Sequence, residues 1–258
     1  MTDKDISTLI ESEREQLTEG RDDISDAVTL RPDPSTTVAK GLLVQGRISE
    51  AQAWFDAVSN EWLQGGERVY ETKFEQKNRP EAQQRPWREY VMSLLTGLLG
   101  RTGLSDTATA IADRVSAPFV DGLEQRSITL RIDLAGLLAS VVLETDSREP
   151  YASNLLPNYD IRDEEWVEAR YPPYVAAAEG IRKNNLERVE TGIEGLISFH
   201  DRFVTGARDA SVVDASISLN ACAVLALARR KGIAITVKHQ VIPDALNDPE
   251  YYPVGGQL

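Results

Sequence analysis

Cysteine and histidine are nearly absent from this chain of 258 residues, which carries one cysteine, Cys222, and two histidines, His200 and His239. A lone thiol excludes an internal disulfide framework and a thiolate-rich metal centre, and two imidazoles leave little room for a histidine-based metal site. Long apolar runs are missing too, so no membrane span is expected, and no charged-then-apolar signal segment opens the sequence. The phosphate-cradling patterns do not occur: there is no Gly-x-Gly-x-x-Gly and no glycine-rich stretch followed by Lys-Ser or Lys-Thr. A Gly-x-Ser-x-Gly elbow is also lacking. These absences remove the commonest nucleotide-binding and hydrolase chemistries, and neither a metal nor an organic cofactor is expected.

Positive charge is scarce as well. Asp and Glu number 41 against 28 Lys and Arg, giving a net charge of −13. With no dense basic stripe to offset it, such a surface repels a phosphate backbone, so nucleic acid is not an expected partner and a basic protein is. Only 7 of the 28 basic residues are lysine. An arginine bias with a carboxylate surplus fits acidity that maintains solubility, as in salt-adapted proteins. That reading is favoured over a dedicated acidic binding face.

What the chain has is helical periodicity. Ile6, Leu9 and Ile10 have helical spacing within residues 4–17, with Gly20 as a stop. Residues 31–37 hold Pro32, Pro34 and three hydroxyls and read as a linker. Ala51, Trp54, Phe55, Val58 and Trp62 form one stripe of a helix that Gly65-Gly66 should end. Trp87, Tyr90, Val91, Leu94, Leu95 and Leu98 form another, with Pro86 in its first turn. Ala108, Ile111, Ala112, Val115 and Phe119 repeat the spacing up to Pro118, and residues 132–143 are almost wholly apolar, as in a central helix. The polar stretch 145–160 is the longest expected loop, and a subdivision of the chain would fall there.

Toward the C-terminus, Val189, Ile193, Leu196, Ile197, Phe203 and Val204 form a stripe, and Val213, Ile217, Ala221, Val224, Leu225 and Ala228 form the next. The short turn 206–211 between them predicts an antiparallel hairpin, with Gly232 as the left-handed stop. Ile233, Ile235 and Val237 then alternate with polar or small residues, a short strand signal, and the tail 247–258 should be irregular and fray. The expected fold is therefore all-α: stacked antiparallel helical hairpins in one bundle spanning 1–258, with a short extended segment near the C-terminus. The run Gly46-Arg-Ile-Ser-Glu-Ala51-Gln-Ala-Trp-Phe55-Asp-Ala57 is similar to the turn and second helix of a tetratricopeptide repeat, but no second copy follows.

Two constellations bear on chemistry. His200 lies on an apolar stripe and, in the hairpin, should face Asp214, Ser218 or Asn220. A His–Asp pair there could act as a general base with its orienting carboxylate, or as a buried polar network that fixes helix register. No serine or cysteine nucleophile is marked out, so the network of His200, Asp214 and Asn220 is read as structural. The second constellation is the carboxylate group Asp160, Asp163, Glu164, Glu165 and Glu168, beside Trp166, Tyr171 and Tyr174. A solvated helix start accounts for the carboxylates. Acids beside exposed aromatics would equally serve to dock a basic partner. Cys222 sits among alanines and valine and reads as a small inert hydrophobe.

Residues 219–246 carry one further pattern. Val224-Leu-Ala-Leu-Ala-Arg-Arg-Lys-Gly232-Ile233 is an apolar helix ending in basic residues and glycine, followed by Ile235-Thr-Val237 and then Val241-Ile-Pro243. This stretch resembles the C-terminal signature of the immunity protein 49 family, immunity proteins of bacterial polymorphic toxin systems. The resemblance implies a mainly helical, cytoplasmic and non-catalytic protein that binds and blocks a cognate toxin. It carries over no catalytic residues. The competing expectations are a tetratricopeptide-like scaffold for a peptide or partner protein and an enzyme built on His200 with Asp214.

Overall fold

The computed structural model describes residues 3–18, 32–73, 80–116, 126–146, 164–205 and 211–252, together with Tyr151, Leu155 and Ala207. Among them the helices run α1 (Asp3–Thr18), α2 (Pro32–Val44), α3 (Ile48–Lys73), α4 (Pro80–Gly97), α5 (Leu104–Val115) and α6 (Arg126–Val142). After these come α7 (Glu164–Arg182), α8 (Leu186–Phe203), α9 (Val212–Ser216) and α10 (Leu219–Arg230), then 3-10 turns at Asp244–Asn247 and Pro249–Tyr251. The fold is an all-α bundle, and no strand occurs among the described residues.

Proline and glycine do not break the helices where their usual preferences predict. α2 starts at Pro32, inside the expected linker, because first-turn N–H groups have no intrahelical acceptor and proline forfeits nothing there. Thr36 Oγ1 donates to the Pro32 carbonyl at 2.7 Å and closes that turn. α4 carries Pro86 in its interior instead of its first turn. α3 runs straight through Gly65-Gly66 to Lys73. A Cβ on Gly66 would lie 2.6 Å from the Tyr90 ring, so here glycine is needed for close approach of α4. The α7–α8 hairpin is built the same way: a Cβ on Gly192 would meet the Pro173 carbonyl at 2.6 Å and Ala177 at 2.7 Å.

Two helices are buried on every side along much of their length and take the centre. In α6, residues 132–142 are all buried, and in α10, residues 221–228 are. α10 packs on α4, α7, α8 and the first 3-10 turn, while α9 packs on α2, so the last helices close against the early ones. One hydrophobic cluster runs from Ile10 to Tyr252. In a repeat array each unit touches only its sequence neighbours, and this arrangement is different.

The C-terminal third departs most from expectation. The stripe read as one helix is split into α9 and α10, with Ile217 extended and Ser218 capping α10 through its hydroxyl. The Ser218 N–H is drawn away to the Val241 carbonyl at 2.9 Å, which fixes the break. Gly232 does adopt the left-handed conformation (φ +81°) and closes α10, with the Ile233 N–H returning to the Ala228 carbonyl at 3.0 Å. Beyond it Ile233 and Ile235 are buried while Ala234 and Thr236 are exposed, the alternation of a strand without a strand partner. The Asn247 side chain takes the partner's place, accepting from the Val237 N–H at 2.9 Å and donating to its carbonyl at 2.8 Å.

The tail does not fray as far as Tyr252. Tyr251 and Tyr252 are buried, the Tyr251 hydroxyl donates to the Leu99 carbonyl at 2.6 Å, and Gln52 Nε2 donates to the Tyr251 carbonyl at 2.9 Å. Arg229, Arg230 and Lys231 anchor this region from three sides. Arg229 donates to the carbonyls of Ile235 and Asn247, and Arg230 donates to those of Leu98 and Gly100 just past α4. Lys231 Nζ donates to the Val142 carbonyl and to Glu144, both at 2.8 Å, at the end of α6. In the 145–160 stretch only Thr145, Asp146, Tyr151 and Leu155 are described, so the expected subdivision lies outside the described residues.

Replacing a helical glycine with alanine normally stabilises by roughly 0.5–1 kcal/mol. In Gly192→Ala the new methyl meets backbone atoms of α7, and overpacking of this kind costs about 1–3 kcal/mol. Urea unfolding of Gly192→Ala should therefore show a net loss of stability; a variant as stable as the parent would contradict the close-packed hairpin.

Candidate functional site

His200 and Asp214 come from neighbouring elements but serve different partners. His200 is buried on α8, with Nε2 3.4 Å from the Ala215 carbonyl. Burial lowers its pKa, and the Ala215 hydrogen bond opposes this only in part. Burial also pushes the Asp214 carboxyl up, but Lys40 and Ser211 outweigh it and hold the group below the usual carboxylate range. The Lys40 ammonium pairs with Asp214 Oδ1, and Ser211 Oγ donates to Oδ2 at 2.7 Å. No hydrogen bond joins His200 to Asp214 or brings in Asn220, which is half-buried at the start of α10. The imidazole and the carboxylate thus share no direct hydrogen bond, and with Lys40 they tie α2 and α8 to α9. Sequence reasoning missed Lys40, whose one signal is a lysine set between the buried Ala39 and Gly41 of α2. Cys222 is fully buried with its thiol pushed up by that burial, in keeping with an inert packing role.

The acidic–aromatic group divides. Asp160 and Asp163 lie outside the described residues, as do the side chains of Glu164 and Glu168 in the first turns of α7. Glu165 is exposed and paired with Arg202 of α8. Tyr171 and Tyr174 are buried, and Trp166 is half-buried with its ring 5.6 Å from Phe199 and 6.1 Å from Tyr171, both edge-on. These rings are packing between α7 and α8, so they do not form the exposed aromatic face that docking would require.

An open concavity lies elsewhere, a groove of about 770 Å³ between α3 and the start of α5. Its lining includes small side chains, Ala53 and Ala57 one turn apart on α3 and Ala110 on α5, together with Leu63 and the buried Ser59 and Thr107. Asn60 and Asp106 stand exposed on its edges. The far rim is the turn before α5, where Gly103 is left-handed (φ +72°). Asp56 fixes that rim by accepting the N–H groups of Arg101 at 2.8 Å and Thr102 at 3.0 Å. Arg101 Nε in turn donates to Gln52 Oε1 at 2.5 Å, the same side chain that holds the Tyr251 carbonyl. The wall hydroxyl of Ser59 is spent on the Ser93 carbonyl at 2.8 Å. A lining that combines alanines with an acidic edge suits a long basic side chain, which has an apolar stem and a charged end.

Among the described residues no cluster of three or more His, Cys, Asp or Glu is placed to hold a metal ion, and no helix is long and apolar enough to cross a membrane. Comparison with protein-family models, curated proteins and solved structures finds no match for this chain.

The buried imidazole has a testable consequence. Because the native pKa of His200 lies below its ordinary value of 6.5, the unfolded chain takes up this proton first as pH falls. The stability held by the neutral ring is complete above pH 6.5 and declines as pH drops through that value toward the native pKa. Asp214, also shifted down but from the ordinary carboxylate value, loses its contribution only below about pH 4. Urea midpoints at pH 7.5 and 5.5 should therefore differ more for the parent than for His200→Gln. Equal differences in both proteins would contradict the assignment.

Proposed function

We propose that the chain acts by occupancy: it binds a basic segment of a partner protein in the α3–α5 groove. The partner is a toxin of a polymorphic system, which the chain neutralises in the cytoplasm, as the resemblance to the immunity protein 49 family implies. The observation that carries this reading is the groove itself, lined in part by three alanines and edged by Asn60 and Asp106 on a chain of net charge −13. Opposite charge steers such encounters and raises the association rate.

Two further features support it. The basic run at the end of α10, which carries the resemblance, is engaged with carbonyls inside the fold and leaves recognition to another surface. His200 lies away from the groove, inside the contact between α8 and α9. The repeat-scaffold reading draws no support from a bundle whose last helices pack on its first ones.

The test is co-expression with the toxic C-terminus of a large protein encoded in the adjoining reading frame. The parent chain should restore growth and form a complex whose association slows as salt is added. Asp106→Lys, a change on the exposed edge, should weaken that complex about tenfold or more, in line with the cost of a like-charge contact. Ala57→Trp should block it while leaving the thermal midpoint in place. Failure of the parent to bind or rescue would overturn the toxin assignment. Full rescue by both folded variants would overturn the groove.

A further inference from the structure

Most arginines among the described residues find acceptors. Arg47 is held by Glu11 and Glu50, Arg114 by Glu67, and Arg229 and Arg230 by backbone carbonyls. Arg131 on α6 and Arg170 on α7 are half-buried, yet neither makes a hydrogen bond or ion pair among the described residues. Arg170 Nε is completely shielded from solvent with no acceptor. The Arg170 guanidinium stacks 4.8 Å over Trp166, with Tyr171 and Phe199 at 5.6 and 5.8 Å. Tyr174, one turn beyond Arg170 on α7 and 1% exposed, has a buried hydroxyl without a hydrogen-bond partner among the described residues. The Tyr171 hydroxyl feels both cations: burial raises its pKa, and Arg170 and Arg131 each pull it back.

This is a surplus of donors in one place. A guanidinium has five N–H donors and no acceptor, and a buried donor left unpaired costs about 1–3 kcal/mol. The two cations also repel one another across α6 and α7. Burial lowers the Arg131 pKa, and Arg170 and Arg88 lower it further, with the Tyr171 hydroxyl acting the other way. Arg88 is already engaged, with Asp33 at 3.0 Å and the Trp62 ring at 5.4 Å. Among the described residues no glutamate or aspartate is set against Arg131 or Arg170.

We propose that Arg131 and Arg170, with Tyr171 and Tyr174, form a receptor for a small free oxyanion, a carboxylate or phosphate group. Such a group supplies several acceptor oxygens in a plane or tetrahedron that guanidinium forks match bidentately. Stacking on Trp166 occupies the face of the Arg170 guanidinium and leaves its in-plane donors for the anion. The site lies on α6 and α7, away from the α3–α5 groove, so each assignment stands or falls alone.

The experiment is calorimetric titration and thermal shift of the full chain at low salt, with inorganic phosphate and succinate as probes and sodium chloride at matched ionic strength as the control. Saturable binding of at least one probe, with a rise in midpoint beyond the chloride control, is the expected result. Arg131→Gln should weaken it at least tenfold. Arg170→Lys, which keeps the charge and loses the fork, should weaken it as well. Arg182→Gln, an exposed arginine on the same helix, should leave it unchanged. Absence of saturable binding to either probe overturns the proposal, including the case in which only a partner protein's carboxylate fits. Undiminished binding in a folded Arg131→Gln/Arg170→Gln double variant overturns it too.

Discussion

Three consecutive cations at the end of α10 face the ends of three other chain segments. Helix C-termini leave carbonyls without N–H partners and carry partial negative charge, so a buried helix end needs a donor from elsewhere. Arg230 meets that need past α4, Lys231 meets it at the end of α6, and Arg229 meets it along the extended stretch and the tail. Each is a charge-assisted hydrogen bond of the stronger kind, worth roughly 1.5–3 kcal/mol. Because α10 is buried along residues 221–228, its end cannot shift without dragging these attachments. The left-handed Gly232 is what turns the chain so that the tail can return to the same place.

The groove inherits its shape from this junction. Arg230 holds the Gly100 carbonyl, Asp56 holds the next two N–H groups, and Gln52 links Arg101 to the Tyr251 carbonyl. The rim at residues 100–103 is therefore fixed from α10, from α3 and from the tail at once. A preformed rim suits a protein that works by binding, since little ordering entropy is then lost when a partner docks. The same logic separates architecture from recognition in the run that resembles the immunity family. Its basic residues are engaged inside the fold, while Asp106 and Asn60 face solvent at the edge of the groove.

Much of the fold was legible in the sequence because helix stripes report burial directly. Trp54, Phe55 and Val58, or Leu94, Leu95 and Leu98, are buried as their spacing predicts. So is His200. What was not legible depended on atoms far away in sequence. Gly65-Gly66 reads as a stop until Tyr90 is placed across it, and Pro32 reads as a linker until its position in the first turn is known. The break at Ile217 depends on Val241, and the tail is ordered by Leu99 and Gln52. The candidate site was the least legible part. A lining of small residues is an absence of bulk on two helices and has no periodic signature, whereas the acidic and aromatic cluster has its tyrosines in the core.

If the α10 junction governs this molecule, residues 94–103, 137–146 and 233–252 belong to one cooperative unit. Native-state hydrogen exchange read by mass spectrometry measures this most directly. Peptides from all three segments should open with the same free energy and the same dependence on denaturant. Rapid, independent exchange of the 233–252 peptides, with the other two segments still protected, would contradict the account.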